Sequence, residues 1–166
     1  MAGASDAQVV LRRYEARDRT AVQDLHRRAL EATGAYLGPG PWDADLEDVE
    51  GHYHRGGGLF LVAEEGGRVV GMGGLQMART PGRALIKRMR VEPALQGRGI
   101  GRAILGALEA YARAAGLSAL ALDTTTVQAR ALALYGRSGY RETGRRRLRG
   151  FEVVLMEKNL DTAPDG

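Results

Sequence analysis

Residues 87–93 read Lys-Arg-Met-Arg-Val-Glu-Pro, and residues 96–101 read Gln-Gly-Arg-Gly-Ile-Gly. The first stretch closes a run with strand character, 84–91, which Pro93 cannot continue. After Gly99 the apolar residues recur at helical spacing. The glycines therefore occupy a tight connection between a predicted strand and a predicted helix, and glycine lets such a connection turn sharply.

This connection is suited to an anion. The first N–H groups of a helix have no partner within the helix, and the helix dipole adds positive potential there. Arg98 and Arg102 add guanidinium groups for charge-assisted contacts. A G-x-G-x-x-G fingerprint fails, because counted from Gly97 its last position holds Arg102 and counted from Gly99 it holds Ile104. No Gly-Lys-Ser/Thr of a P-loop is present, and a tight turn without a ligand is the alternative.

Periodicity and turn signals predict the element order β-α-α-β-β-β-α-β-α-β-β, which is one mixed α/β domain over 1–158 followed by a flexible tail, 159–166. Asp18 is predicted to cap the first helix and Thr126 the last. A second helix is predicted over 43–53. Three glycines in the third strand indicate the close approach of another group, and they are Gly71, Gly73 and Gly74.

A second motif follows about 35 residues after the first. Residues 131–135 read Ala-Leu-Ala-Leu-Tyr, and Gly139 and Tyr140 come shortly after. Together the two motifs resemble the GNAT acyl-CoA N-acyltransferase family, over residues 9–158. The resemblance implies the GNAT fold, with its fourth and fifth strands splayed apart.

The resemblance also implies acetyl-CoA as co-substrate, with no metal, and transfer of the acetyl group to a primary amine that attacks the thioester directly. The acceptor is a small-molecule or a protein amine. Tyr135 resembles the general acid that protonates the departing thiolate. The residues that the resemblance assigns to acetyl-CoA lie on the fourth strand and in the glycine-rich connection, and they are Met89, Arg90, Val91, Gln96, Gly97, Arg98, Gly99, Ile100, Gly101 and Arg102.

The general base is left open. Many relatives carry a glutamate where this chain has Leu85, which cannot accept a proton. By residue type the candidates are Glu92, Asp123, His52 and His54, and water is a further one. This departure keeps a non-catalytic acyl-CoA-binding sensor of the same fold as the alternative function.

The amino-acid composition excludes several classes of protein and of functional site. The 166 residues contain no cysteine, which excludes disulfide scaffolds, thiolate zinc sites and cysteine nucleophiles and favours a cytoplasmic location. Neither a secretory signal nor a membrane span is predicted, so we expect no membrane partner. The net charge of +4 does not require nucleic acid, and the arginines of 145–149 are predicted to lie at a solvated hairpin tip. A homodimer through the last strands is suggested by the resemblance alone.

Overall fold

The computed structural model describes residues 8–160 and contains one seven-stranded sheet in the order β1-β2-β3-β4-β5-β7-β6. The strands are β1 (Val10–Arg13), β2 (Leu59–Glu65), β3 (Arg68–Met77), β4 (Arg83–Val91), β5 (Ala119–Thr125), β6 (Arg141–Leu148) and β7 (Phe151–Asn159). The helices are α1 (Arg19–Thr33), α2 (Ala44–Glu47), α3 (Ile100–Ala114) and α4 (Ala129–Arg137). The predicted α/β order and the mixed sheet are confirmed.

The ends of α1 show how local chemistry sets its length. Gly34 ends the helix in the left-handed conformation, with φ of 75°, as a glycine after a helix commonly does. Asp18 stands at the N-cap position but makes no side-chain cap, which corrects the prediction. Its carboxylate instead accepts hydrogen bonds from the Arg12 guanidinium (2.8 Å each) and the Glu15 N–H (2.8 Å). Asp18 thus ties the start of α1 to β1.

The predicted second helix, 43–53, is three short turns rather than one helix. A 3₁₀ turn (Pro41–Asp43) leads into α2, and a π turn (Glu50–His54) follows. Asp48 separates the last two with non-helical φ and ψ of −141° and 70°. Its carboxylate accepts the Gly51 N–H at 3.0 Å, which is the local bond by which aspartate competes with a helix.

The sheet changes character between β4 and β5. These strands are parallel and pair only over residues 83–85 with 119–121. Beyond residue 85, β4 remains paired with β3, while β5 remains paired with β7 up to Thr125. A gap therefore opens in the sheet beside the second half of β4, and the predicted splay of these strands is confirmed.

The glycines of β3 allow side chains to pack closely on both faces of the sheet. A Cβ at Gly73 would lie 2.6 Å from the Met89 sulfur and 2.7 Å from Ile104 of α3. A Cβ at Gly74 would lie 2.6 Å from the Tyr53 ring on the other face. Close approach, as the sequence predicted, explains glycine at these positions.

The bounds of α4, β6 and β7 differ from those predicted from the sequence. Helix α4 begins at Ala129, and Thr126 is not its cap, because Gln128 stands at the N-cap position. The arginines at 145–147 lie within β6, so the hairpin tip is shorter than predicted. Strand β7 includes Asn159, and Leu160 is buried, so the domain extends past 158. The rest of the predicted tail, 161–166, lies outside the described residues.

Across residues 8–160 the helices are all too short or too polar to cross a lipid bilayer.

Candidate active site

An irregular point in β4 lies at the gap. The pairing with β3 shifts register between Met72 and Gly74, opposite Arg88 and Met89. Arg88 has a φ of 60°, which costs a non-glycine residue about 1 kcal/mol or more. Ile86 packs in the core cluster that contains Ile104 of α3, whereas Arg88 and Arg90, two and four residues later, both contact groups from the α1–α2 region. The irregularity therefore breaks the alternation of the strand between Ile86 and Arg88.

The glycine-rich connection is open to solvent. Gly97 and Gly99 have φ of 86° and 82°, and Gly97, Arg98 and Gly99 are exposed. The first α-helical bond runs from the Ala103 N–H to the Gly99 carbonyl at 3.0 Å. Within residues 8–160, no main-chain N–H of 96–99 donates to another group. A Cβ at Gly99 would meet nothing within 4 Å, so the connection leaves room for a ligand.

The arginines around this connection differ in their surroundings. Arg98 pairs with Glu65 at 3.1 Å. Arg102 is exposed on the first turn of α3. Arg130 of α4 places a guanidinium nitrogen 3.6 Å from the Cβ position of Gly97. Sequence reasoning missed Arg130, although it stands directly before the second motif, because only the fold brings α4 to this connection.

A cavity of about 270 Å³ fills the gap between β4 and β5. Residues from both faces of the sheet line it. They include His26, Trp42, Asp43, Arg88, Met89, Arg90, Asp123, Tyr135, Arg149 and Phe151. The gap thus lets side chains from the α1 face and from α4 share one cavity.

Tyr135 reaches the cavity from α4. Its side chain is buried, packs edge-on against Tyr140 at 5.8 Å, and makes no hydrogen bond with the part of the chain that the structure describes. Burial raises the pKa of Tyr135 to about 12, although nearby Arg90 opposes the rise. A buried phenol with this pKa stays protonated at neutral pH and can donate its proton.

Arg88 anchors the segment between α1 and α2 to the sheet. Its guanidinium donates to the Asp45 carboxylate (2.6 and 3.0 Å), to the Trp42 carbonyl (2.6 Å) and to Asp43 (3.1 Å). Burial alone would raise the pKa of Asp45, but the bonds from Arg88 hold it below its usual value. One arginine therefore fixes the cavity wall that carries Trp42.

His26 connects Arg90 with Asp43. Its Nε2 lies 3.1 Å from the Asp43 carboxylate and its Nδ1 lies 3.4 Å from the Arg90 Nε. Burial, and then the charges of Arg90 and Arg88, lower the pKa of His26 to about 3. Neutral His26 thus accepts from Arg90 at Nδ1 and donates to Asp43 at Nε2, which makes it part of the cavity framework and a poor proton acceptor.

The four side chains considered as a base are dispersed. Asp123 lines the cavity, is largely exposed and pairs with Arg146 at 3.4 Å. Glu92 pairs with Arg28 at 2.7 Å. His54 accepts the Phe60 N–H at 3.0 Å, and neither it nor His52 is part of the cavity wall. His26, Trp42 and Arg149 complete the wall instead. The family resemblance pointed to the loop that holds Trp42 as an acceptor-pocket wall, with core packing as the alternative, but the sequence carried no local signal for His26 or Arg149.

Comparison with known proteins agrees with this architecture. The profile of the Acetyltransferase (GNAT) family matches residues 20–140. The N-alpha-acetyltransferase RimI of Mycobacterium tuberculosis is 33% identical over 147 residues, which are 82% of this chain and 87% of that protein. The IAA acetyltransferase of Azospirillum brasilense is 46% identical over 85 residues, 51% of this chain. The chain spans about half the length of several curated relatives, 56% of the Azospirillum protein and 46% of a mouse N-acetyltransferase family 8 protein.

Solved structures share the fold. An acetyltransferase of the GNAT family from Staphylococcus aureus superposes with a TM-score of 0.84 at 19% identity, covering 92% of this chain and 99% of that one. The Salmonella typhimurium yncA structure, which contains its cofactor acetyl-CoA, superposes with a TM-score of 0.76 at 24% identity, covering 96% and 99%. With the family profile matched over most of its length and the splayed sheet in place, the chain belongs to the GNAT acetyltransferase family.

Proposed function

We propose that the protein is an acetyl-CoA-dependent N-acetyltransferase whose acceptor is a neutral primary amine. One observation carries the proposal: the connection 96–99, whose main-chain N–H groups have no partner among residues 8–160, follows β4 in the chain, and residues 86–90 of β4 line a cavity that the hydroxyl-bearing Tyr135 also lines. A phosphate-binding element and a proton donor at one gap in the sheet suit a phosphorylated thioester.

The residues present fit acetyl-CoA, which supplies an acetyl group activated as a thioester. The N–H groups of 96–101 would hold its diphosphate, with the bare Gly99 leaving space for it. The main chain of Met89 and Val91, beside the gap, would receive the pantetheine arm as a sheet edge receives a strand. We call the connection 96–101 with the end of β4, 89–91, the donor side.

The acceptor reaches the thioester from the α1 face. We call this region, formed by His26, Trp42, Asp43 and the Arg90 side chain, the acceptor side. The nitrogen–carbon bond forms as the carbon–sulfur bond breaks, and the Tyr135 hydroxyl donates its proton to the sulfur. The phenolate regains a proton that the acetylated nitrogen releases, carried by the solvent of the open cavity. The overall products are an amide and a free thiol.

The raised pKa of Tyr135 is compatible with this role. Its pKa of about 12 lies above that of an ordinary thiol, so transfer to a solvated thiolate would be unfavourable. Burial disfavours every anion, however, and a thiolate in the same cavity is a stronger base than in water. Donor and acceptor pKa therefore rise together, which keeps the proton transfer near balance.

Binding and turnover test the proposal separately. Calorimetry with acetyl-CoA is expected to give micromolar affinity, and a flat titration at millimolar acetyl-CoA would refute the proposal. Release of CoA is then followed with a thiol reagent. Because the chain contains no cysteine, the protein itself adds nothing to that signal.

The acceptor screen decides between enzyme and sensor. It contains amino acids, simple amines and peptides with free N-termini, since relatives include a ribosomal-protein-S18-alanine N-acetyltransferase from Escherichia coli. Release of CoA that depends on an amine supports the enzyme. Tight binding of acetyl-CoA without release with any amine would favour the sensor, which Leu85 in place of a glutamate motivates.

A further inference from the structure

The side chain of Arg90 is the feature of the acceptor side that this mechanism leaves without a role. Its guanidinium lines the cavity and is partly buried, donating to the Met89 carbonyl at 2.8 Å and to His26 at 3.4 Å. Both partners are neutral. Among residues 8–160 no carboxylate forms an ion pair with Arg90, and burial lowers its pKa to about 10.

The nearest acidic groups are already engaged. The Asp43 carboxylate accepts hydrogen bonds from Arg88 and His26, both at 3.1 Å. The Asp45 carboxylate accepts from Arg88 and from the Tyr53 hydroxyl, each at 2.6 Å. Asp123 faces Arg146. The guanidinium of Arg90 is therefore a partly buried cation whose missing counter-ion must come from outside the described chain.

The cavity wall contains a second arginine without a described ion-pair partner, and it also contains apolar side chains. Arg149 lies over the Trp42 ring at 4.7 Å and forms no ion pair with a described residue. The exposed side chains of Leu37 and Leu148, together with Phe151, give the wall an apolar part. The cavity thus combines apolar surface with two cations that have no acidic partner within residues 8–160, in a volume of about 270 Å³ that suits a small molecule.

Position restricts where the ligand's charge can be. Arg90 and Tyr135 line the same cavity. Since Tyr135 marks the reacting sulfur in the proposed function, a carboxylate on Arg90 lies near the amine that attacks. That arrangement matches an α-amino acid, in which one carbon joins the two groups, and it does not match a peptide N-terminus, where the carboxylate is an amide.

We propose that the acceptor is a free amino acid with an apolar side chain, whose α-carboxylate binds Arg90. The inference rests on the proposed function and names its substrate class. Arg90 determines specificity, and His26 positions it through the Nδ1 contact. Arg149 and Trp42 close the outer end of the site.

The test compares L-phenylalanine with L-phenylalaninamide in the CoA-release assay. The two share a side chain and a primary amine and differ in the carboxylate, and the less basic amine of the amide favours the amide chemically. We expect kcat/KM to be about 10- to 100-fold higher for the acid, the range that a charged hydrogen-bonded pair provides. Arg90→Gln is expected to abolish this ratio, and Arg90→Lys to restore part of it.

Two further variants sharpen the comparison. His26→Leu is expected to lower kcat/KM for the acid more than for the amide, and so to lower the acid-to-amide ratio, which a general loss of folding would not produce. Arg79→Gln removes an exposed arginine from the turn between β3 and β4 and should leave the ratio as it is.

The outcomes separate the two proposals. Absence of acetyl-CoA binding overturns the proposed function. Turnover of amides or peptides at least equal to that of the acids overturns the amino-acid inference alone, as does an unchanged ratio in Arg90→Gln. If no amine releases CoA, calorimetry with N-acetylphenylalanine and its amide carries the test. Binding of the acid alone, lost in Arg90→Gln, supports the inference, and equal binding refutes it.

Discussion

The donor side and the acceptor side of the cavity are built from different chemical groups. The donor side consists of main-chain N–H groups at a connection whose glycines have φ of 86° and 82°. The acceptor side consists of side chains, with Arg90, His26 and Asp43 in one chain of contacts. In the proposed function the main-chain site binds what all acyl-CoA molecules share, whereas a side-chain site can be altered one residue at a time. We therefore expect recognition of acyl-CoA to depend on the donor side and the choice of acceptor to depend on the acceptor side.

Breaking the donor side is expected to have the largest effect. Gly99→Glu forces a side chain onto a left-handed residue and places a carboxylate where the diphosphate is proposed to bind. We expect the affinity for acetyl-CoA to fall more than ~10³-fold, equivalent to about 4 kcal/mol. Calorimetry measures it.

Gly106→Glu is the matched control, because it adds the same side chain at an exposed α3 position with nothing within 4 Å. Equal affinities in the two variants would contradict the main-chain site.

Tyr135→Phe tests the proton donor between the two sides. Removal of a general acid commonly costs about 10²-fold or more in turnover, and we expect kcat to fall by that amount while the acetyl-CoA dissociation constant changes little. The Tyr111 hydroxyl donates to the Gly57 carbonyl at 2.8 Å, away from the cavity, so Tyr111→Phe serves as control. Unchanged kcat in Tyr135→Phe would remove the acid role.

Gly73→Ala tests the packing beneath the donor side. The new Cβ would lie 2.6 Å from the Met89 sulfur and 2.7 Å from Ile104, so α3 or β4 must shift. Overpacking of this kind costs about 1–3 kcal/mol of unfolding free energy. Chemical denaturation measures the loss, and Gly106→Ala, in open space on a helix, should instead be neutral or stabilising. A Gly73→Ala variant as stable as the parent would show that the packing around Gly73 accommodates a methyl group without loss of stability.

The acceptor side predicts a smaller effect that depends on pH. The pKa of His26 is about 3 in the folded chain and about 6.5 when unfolded. Between these values the unfolded state binds a proton that the folded state does not, so stability falls as pH drops below about 6.5, by at most ~1.4 kcal/mol per pH unit. Denaturant midpoints at about pH 7 and about pH 5 measure this loss.

His26→Gln keeps an acceptor and a donor but does not titrate. We therefore expect a shallower loss of stability in that variant, and equal losses in the two proteins would contradict a buried neutral His26.

Local signals predicted the donor side well. Glycine, proline and helical periodicity are adjacent in sequence at residues 93–104, so the strand, the connection and α3 could be placed from the sequence. The predictions failed where a distant partner competes with a local preference. The Asp18 carboxylate accepts from Arg12 instead of capping α1.

The acceptor side was largely outside the reach of sequence reasoning. Arg90 and His26 are 64 residues apart. The resemblance assigned Arg90 to acetyl-CoA and not to the acceptor, and His26 alone reads as an ordinary helix residue. The side chain of Arg90 points toward α1 because the pairing of β3 and β4 is irregular, and no sequence rule applied here predicts that irregularity. The assignment of Tyr135 and of 89–91 and 96–102 to the reaction remains a prediction that the variants above test.

The charge of strand β6 affects how the protein behaves at high concentration. The strand forms an edge of the sheet, and apart from Gly144 its residues are exposed, including Arg141, Arg145, Arg146 and Arg147. Arg145 pairs with Glu142 and Glu152, and Arg146 pairs with Asp123, which leaves Arg141 and Arg147 without an acidic partner among residues 8–160. Two chains that meet at this edge repel each other before main-chain bonds can form, and dissolved salt shortens the repulsion to about 10 Å at ~0.1 M. The arginines of β6 thus oppose edge-to-edge association of concentrated chains, and this opposition weakens as salt is added.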